Sequence, residues 1–280
     1  EVPPRQSKTF YYWLTASESI KEALALNALV LEKKPDHILR TTRDYWYAWV
    51  NRYNFSFYGL KETEINLFKK SLLTMRTHAD DHGAIIASAD SDMLQSGRDT
   101  YSYMWPRDGA FSAMAFDMAG NFVIAERFFS FCARVIDEKG YLMHKYRPDD
   151  SLGSSWHPWM RNGKVELPIQ EDETALVLIG LWHHYEQSKN LEFVERVYES
   201  LVERAANFMV SYRDPKTLLP KASYDLWEEK FGIHTFTVAT VYGALIAASK
   251  LAKLLGKSES EQIYHKAPLE IRQGMLTYLY

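Results

Sequence analysis

Among 280 residues there is one cysteine, Cys132. A single cysteine excludes an intrachain disulfide, a CxxC redox motif and a cysteine metal cluster. In the run "FFSFCAR" it reads as a small buried hydrophobe. Charge of one sign is also lacking: 33 Lys and Arg against 36 Asp and Glu leave a net −3. That balance gives no reason to expect nucleic acid or an anionic membrane as partner. No stretch approaches the roughly 18 consecutive apolar residues of a membrane span. The chain opens "EVPPRQ", with neither Met nor a signal-peptide pattern, and closes "GMLTYLY" on an apolar note. Both ends read as cut from something longer.

Aromatics are plentiful instead. There are 8 Trp, 18 Tyr and 14 Phe, 14% of the chain, within an ordinary 46% hydrophobic and 25% charged composition. Many can serve as core, since aromatics carry large buried area. Trp and Tyr beside acids and Arg also suit a sugar pocket, where rings stack on C–H faces and charged groups bind hydroxyls.

Apolar periodicity places helices along most of the chain. Ile20, Leu24, Ala28 and Leu31 mark one that Pro35 should stop. Tyr45, Trp46, Trp49 and Val50 mark a second over roughly 41–53, and Ile65, Phe68, Leu72 and Met75 a third over 61–79. Further helices are expected over 109–119, 122–137, 171–187, 191–213, 235–255 and 259–278. "TALVLIGLW" and "TVATVYGALIAASKLAKLL" are apolar nearly all round, whereas 191–208 has one apolar face. All-round apolar helices belong inside and one-faced helices outside. Their alternation predicts a double-layered helical barrel with function in the loops between.

Four loop segments concentrate polar chemistry. In "YSYMWPRDG", Arg107 can donate and Asp108 accept, which fits a polyol, with Tyr101 and Trp105 as stacking faces. A helix-capping Arg–Asp pair would explain the same residues. "SSWHPWMRNG" offers Trp156 and His157 as a pocket wall, or as anchors of a loop to the core. His157 has no HxH or HExxH partner, so no metal is assigned. In "LPIQEDETALVL", Glu171, Asp172 and Glu173 read as a first helical turn complementing the dipole, with Gln170 the better pocket candidate. In "YDLWEEKFG", burial beside Trp227 and a neighbouring carboxylate would raise the pKa of Glu228 enough for a general acid. Glu229 would stay ionised and bind sugar hydroxyls. An exposed polar turn explains "WEE" as well.

In this order, "YSYMWPRDG", "GYLMHKYRPDDSLGSSWHPW", "LPIQEDETALVL" and "DLWEEKFGIHTFTVATVYGAL" resemble glycoside hydrolase family 15, the glucoamylases with related glucodextranases and trehalases, prokaryotic branch. The resemblance covers about 40–280. It implies an all-α fold, a six-hairpin α/α barrel (toroid) that is incomplete in this chain. It also implies residues 1–15 as the last strand of a preceding β-sandwich, 16–40 as helical linker and 41–280 as partial barrel.

By resemblance Glu228 is the catalytic acid. Tyr101, Trp105, Arg107, Asp108, Trp156, His157, Trp227 and Glu229 are then substrate-binding residues. The activity implied is inverting, exo-acting release of glucose from non-reducing ends of α-glucosides, without cofactor or metal. The partner is an α-linked gluco-oligosaccharide or disaccharide, with no nucleic acid and no membrane. Inversion needs a second carboxylate, which the family supplies from late barrel helices, and no motif here matches it. The chain is therefore expected to lack the base and the C-terminal part of its own barrel, and to be inactive alone. Non-catalytic relatives with an assembly role share the fold; Glu228 and Glu229 beside Trp227 argue against that reading.

Overall fold

The structure is a computed structural model that describes residues 2–53, 55–89, 101–155 and 157–279. The chain divides into two compact units, 1–73 and 74–280, with the division inside one helix.

In the first unit no strand is described before the first helix. Residues 5–18 are irregular and largely exposed. A β-prone segment satisfies its backbone only against a partner strand, and none is described there. Helix α1 (Ile20–Lys33) begins where the Ser19 side chain accepts from the Glu22 N–H, and buries no residue. It ends at Lys34, and Pro35 then opens α2 (Pro35–Val50) rather than merely stopping α1. Proline suits a first helical position, where no N–H is needed. Helix α3 (Glu62–His78) carries Phe68, which packs edge-on against Phe55 and Phe57.

The second unit is an arc of helical hairpins. Its helices are α4 (Pro106–Met118), α5 (Phe122–Val135), α6 (Glu171–Ser188), α7 (Leu191–Val197), α8 (Arg204–Ser211), α9 (Thr235–Leu254) and α10 (Ser258–Tyr278). A π turn, Tyr198–Glu203, joins α7 to α8. Helix α6 packs between α4 and α9, while α5 lies against α4 and α10 against α9. Thus α4, α6 and α9 form an inner layer, and α5, α7–α8 and α10 an outer one. This is the all-α barrel architecture that the periodicity predicts.

The core follows the same pattern. Phe116, Phe128, Phe129, Leu178, Leu201 and Leu245 are fully buried, each worth about 1.5–3 kcal/mol on transfer from water. Close approach of α4 and α5 requires Gly109, since a Cβ there would meet the Phe128 ring at 2.2 Å. Helix α9 is long and apolar enough to cross a membrane by length and composition. Its burial on Val238, Val241, Leu245 and Leu251 accounts for that composition as an inner helix.

Successive inner helices run the same way, because each is followed by an outer helix that returns the chain. Their N-termini share one rim. At the opposite, rear end, α4 and α6 are tied by Asp117 Oδ1 and His184 Nδ1, 2.8 Å apart and both buried. Ser188 Oγ lies 3.3 Å from His184 Nε2, and Asn190 donates to Glu126.

Two short ribbons decorate the rim. Met160–Arg161 pairs antiparallel with Lys164–Val165 around Asn162 and Gly163, both at positive φ. Asn-Gly is the residue pair that such a tight hairpin favours. Ser223–Tyr224 pairs with Phe231–Gly232, and its loop, 225–230, carries Glu228. The segment leading from α5 to the first ribbon is anchored at Gly140, where φ is +93° and a Cβ would strike the Arg204 carbonyl.

Candidate active site

The rim of the inner layer encloses a cavity of about 400 Å³. Its lining brings together Tyr101, Trp105, Arg107, Asp108, Trp227 and Glu228, with Ala87 and Leu226. Residues separated by more than a hundred positions meet because α4 starts and the 225–230 loop ends at the same rim.

Glu228 sits at φ +61°, a left-handed conformation uncommon for a residue with a side chain. The turn is held by Asp225. Its carbonyl accepts from the Glu228 N–H at 2.9 Å and from Gln170 Nε2 at 2.6 Å. Its Oδ1 accepts from the N–H groups of Glu229 and Lys230 at 2.8 and 3.0 Å. Burial works against the Asp225 charge, but those N–H groups outweigh it and hold the carboxyl below its ordinary pKa.

The Trp105 indole Nε1–H donates to Glu228 Oε1 at 2.9 Å. Burial raises the pKa of Glu228 above the ordinary glutamate value. The indole hydrogen bond and the charges of Arg107 and Lys145 oppose that rise, and Asp108 adds to it. The carboxylate that adds to that rise is Asp108, while Glu229 lies outside the cavity lining.

Arg107 is clamped from behind by α6. Its Nε bonds to Asp172 Oδ2, its backbone N–H to Glu173 Oε2, and its Nη1 lies 3.2 Å from Glu173 Oε1. Burial tends to lower the Arg107 pKa, but the two carboxylates more than reverse that and keep it charged. Asp108, beside it, opens to the cavity, and desolvation by the walls raises its pKa against the pull of Arg107.

The acids of "QEDET" are consequently not a solvated dipole-capping turn. Glu171, Asp172 and Glu173 are all 0% exposed. Among the described residues neither carboxyl oxygen of Glu171 has a hydrogen-bond partner, and burial, reinforced by Asp172, raises its pKa well above the ordinary value. Gln170 is buried and braces the 225–230 turn instead of facing the cavity.

Of the remaining expected residues, Tyr101 stacks on Trp105 with centroids 5.7 Å apart. Trp227 is 75% exposed at the mouth. Glu229 is exposed and outside the lining. His157 backs the acid turn: its ring stacks on Tyr224 at 3.7 Å, and its Nε2 lies 3.4 Å from the Glu228 carbonyl. Trp156 lies outside the described residues. Asp172, Glu173 and Asp225 were not singled out as site residues. An acid run following a motif arginine was the only signal, and a polar N-terminal turn gives the same pattern.

The arrangement pairs a desolvated carboxyl, held by an indole, with an arginine–aspartate pair suited to hydroxyls. A sequence profile described as "Glycosyl hydrolases family 15" matches residues 62–276. The chain belongs to this family.

Within it, the chain is 27% identical over 241 residues to an uncharacterized glycosyl hydrolase of Methanocaldococcus jannaschii, covering 85% of this chain and 35% of that protein. It is 24% identical over 274 residues to a glucoamylase of a Clostridium species, covering 95% of this chain and 34% of that one. The chain thus spans about a third of the length of these curated relatives. A bacterial glucoamylase complexed with acarbose superposes with a TM-score of 0.68 at 20% identity, over 92% of this chain and 34% of that one. A glycosidase variant in complex with glucose gives 0.61 at 20% identity, over 78% and 59%. These likenesses show the fold that family 15 shares.

Proposed function

We propose that this family 15 chain carries the acid half of an exo-acting, inverting glucosidase site of the glucoamylase type. The observation that carries the reading is the Trp105–Glu228 hydrogen bond inside a cavity whose other polar wall is Arg107 and Asp108. Glu228 in its protonated form delivers the proton to the glycosidic oxygen as the bond breaks. Its raised pKa extends that form toward neutral pH. Arg107 and Asp108 take the hydroxyls of the terminal sugar, and Tyr101 and Trp227 its apolar faces. The α-glucoside class is supported by the acarbose and glucose complexes of the structural relatives.

Inversion needs a carboxylate about 6.5–9.5 Å from the acid, activating water on the far face of the sugar. Among the described residues the lining holds one further carboxylate, Asp108, which is engaged beside Arg107. We assign the base to a carboxylate outside the described residues, without which the acid half is inactive. The deciding experiment is Glu228→Gln in the complete protein. Turnover of maltooligosaccharides should fall by about 10³-fold with KM little changed. Near-normal turnover of maltooligosaccharides and trehalose would overturn the assignment. Anomeric analysis of the first product tests inversion.

A further inference from the structure

Directly behind Trp105 lies a lysine that the reaction scheme does not use. Lys145 is 1% exposed, although it comes from an irregular segment rather than a helix. Its Nζ sits 4.5 Å from the centre of the Tyr103 ring and 5.4 Å from that of Trp105. The chain is built around its stem. A Cβ on Gly153 would fall 2.7 Å from Lys145 Cγ and 3.1 Å from the Tyr103 ring, and the Gly153 N–H donates to the Lys145 carbonyl at 3.0 Å. Burying a lysine is unfavourable without compensation, and two aromatic faces supply part of it.

We propose, resting on the general-acid reading of Glu228, that Lys145 is a positioning residue: its ammonium, set against the faces of Tyr103 and Trp105, fixes the indole whose N–H donates to Glu228. A cation on a ring face draws electron density and makes the N–H a stronger donor. The Trp105 Nε1–H to Glu228 Oε1 bond, at 2.9 Å, is the link. The same charge acts on Glu228 through space and opposes the effect of burial. The other groups facing Glu228 are Arg107 and Asp108 from α4, His157 against its carbonyl, and Asp225 and Glu229 on its own turn. Arg107 is committed to Asp172 and Glu173. Lys145 is the other cation that acts on Glu228, and its removal leaves the Arg107 clamp in place.

The test uses the complete protein and two readouts: the alkaline limb of kcat/KM against pH, and the indole N–H resonance of Trp105 followed by NMR through a pH titration. Trp105→Phe assigns that resonance, and Glu228→Gln must abolish its titration. In Lys145→Met both the indole midpoint and the alkaline limb should move to higher pH, and Lys145→Arg should bring them back. An indole midpoint in Lys145→Met equal to that of the unsubstituted protein would overturn the proposal. Should Lys145→Met not fold, Gly153→Ala displaces the stem while keeping the charge. An upward midpoint there supports the proposal and an unmoved one overturns it. If Glu228→Gln retained turnover while Lys145→Met still moved the indole midpoint, the general-acid reading would fall and the coupling would stand.

Discussion

The two ends of helix α6 both bury charge, and they treat it differently. At the rear, Asp117 meets His184 at 2.8 Å, Ser188 reaches the far side of the imidazole, and Asn190 holds Glu126. At the front, Asp172 and Glu173 face one guanidinium, with Glu171 buried beside them. Among the described residues, both oxygens of Glu171, one of Asp172, the Gln170 side-chain Oε1 and Arg107 Nη2 lack hydrogen-bond partners there, against Asp117 Oδ2 and His183 Nδ1 at the rear. Buried polar groups are normally satisfied, and the rear comes nearer to that than the front. The front holds a carboxyl-rich field behind the cavity. On the proposed reading, stability and chemistry are separated by the length of one inner helix.

That separation can be broken by substitution. The largest effect belongs to Glu228→Gln, about 10³-fold in kcat. Because burial raises the folded-state pKa of Glu228, its removal should leave thermal stability equal or slightly higher at neutral pH. A marked fall in Tm would show that the front is structural after all. Next is His184→Leu, which strands the buried Asp117 and should cost about 3 kcal/mol by urea denaturation. Its pH–rate profile should match that of the unsubstituted protein. Trp105→Phe removes the donor to Glu228. It should lower kcat about tenfold and move the alkaline limb to higher pH, since the indole bond lowers that pKa.

Smaller effects follow. Glu171 and Glu173 have folded-state pKa values raised by burial. Their contribution to stability is therefore fully present below the ordinary glutamate pKa and is lost as pH rises through the folded values. Glu171→Gln should flatten the fall of Tm on the alkaline side and gain about 1 kcal/mol there. The smallest change is Trp227→Ala at the exposed mouth. Stability should stay within about 0.5 kcal/mol, while KM for oligosaccharides rises.

Much of this was legible in the sequence, and the misses have physical causes. Helix positions came through because a 3.6-residue period survives whatever packs on it: 122–137 was expected and Phe122–Val135 observed. Tyr101, Trp105, Arg107, Asp108, Trp227 and Glu228 line one cavity, and two short motifs carry all six. The burial of Glu171, Asp172 and Glu173 was not legible. It depends on Arg107, sixty-odd residues away, arriving at the N-terminus of α6. Glu229 looked like the neighbour that tunes Glu228, but adjacent side chains diverge, and Asp108 takes that part through space. Residues 5–18 have strand composition, yet composition supplies no partner backbone.

The π turn at Tyr198–Glu203 has a use beyond description. A π turn winds one more residue into the helix than α geometry needs. Phe193, Val194 and Val197 before it, Leu201 and Val202 within it, and Ala205 and Ala206 after it all remain buried, so the surplus has been absorbed without turning either half outward. Chain length is therefore negotiable at this point. Deleting one residue between Tyr198 and Glu203 restores plain α winding and keeps both faces inward. The same deletion inside α6 would rotate half of an inner helix by about 100° and carry the Arg107 clamp with it. At this turn an outer helix can change length by one residue, whereas the inner helix α6 is held in register by the Arg107 clamp at its rim.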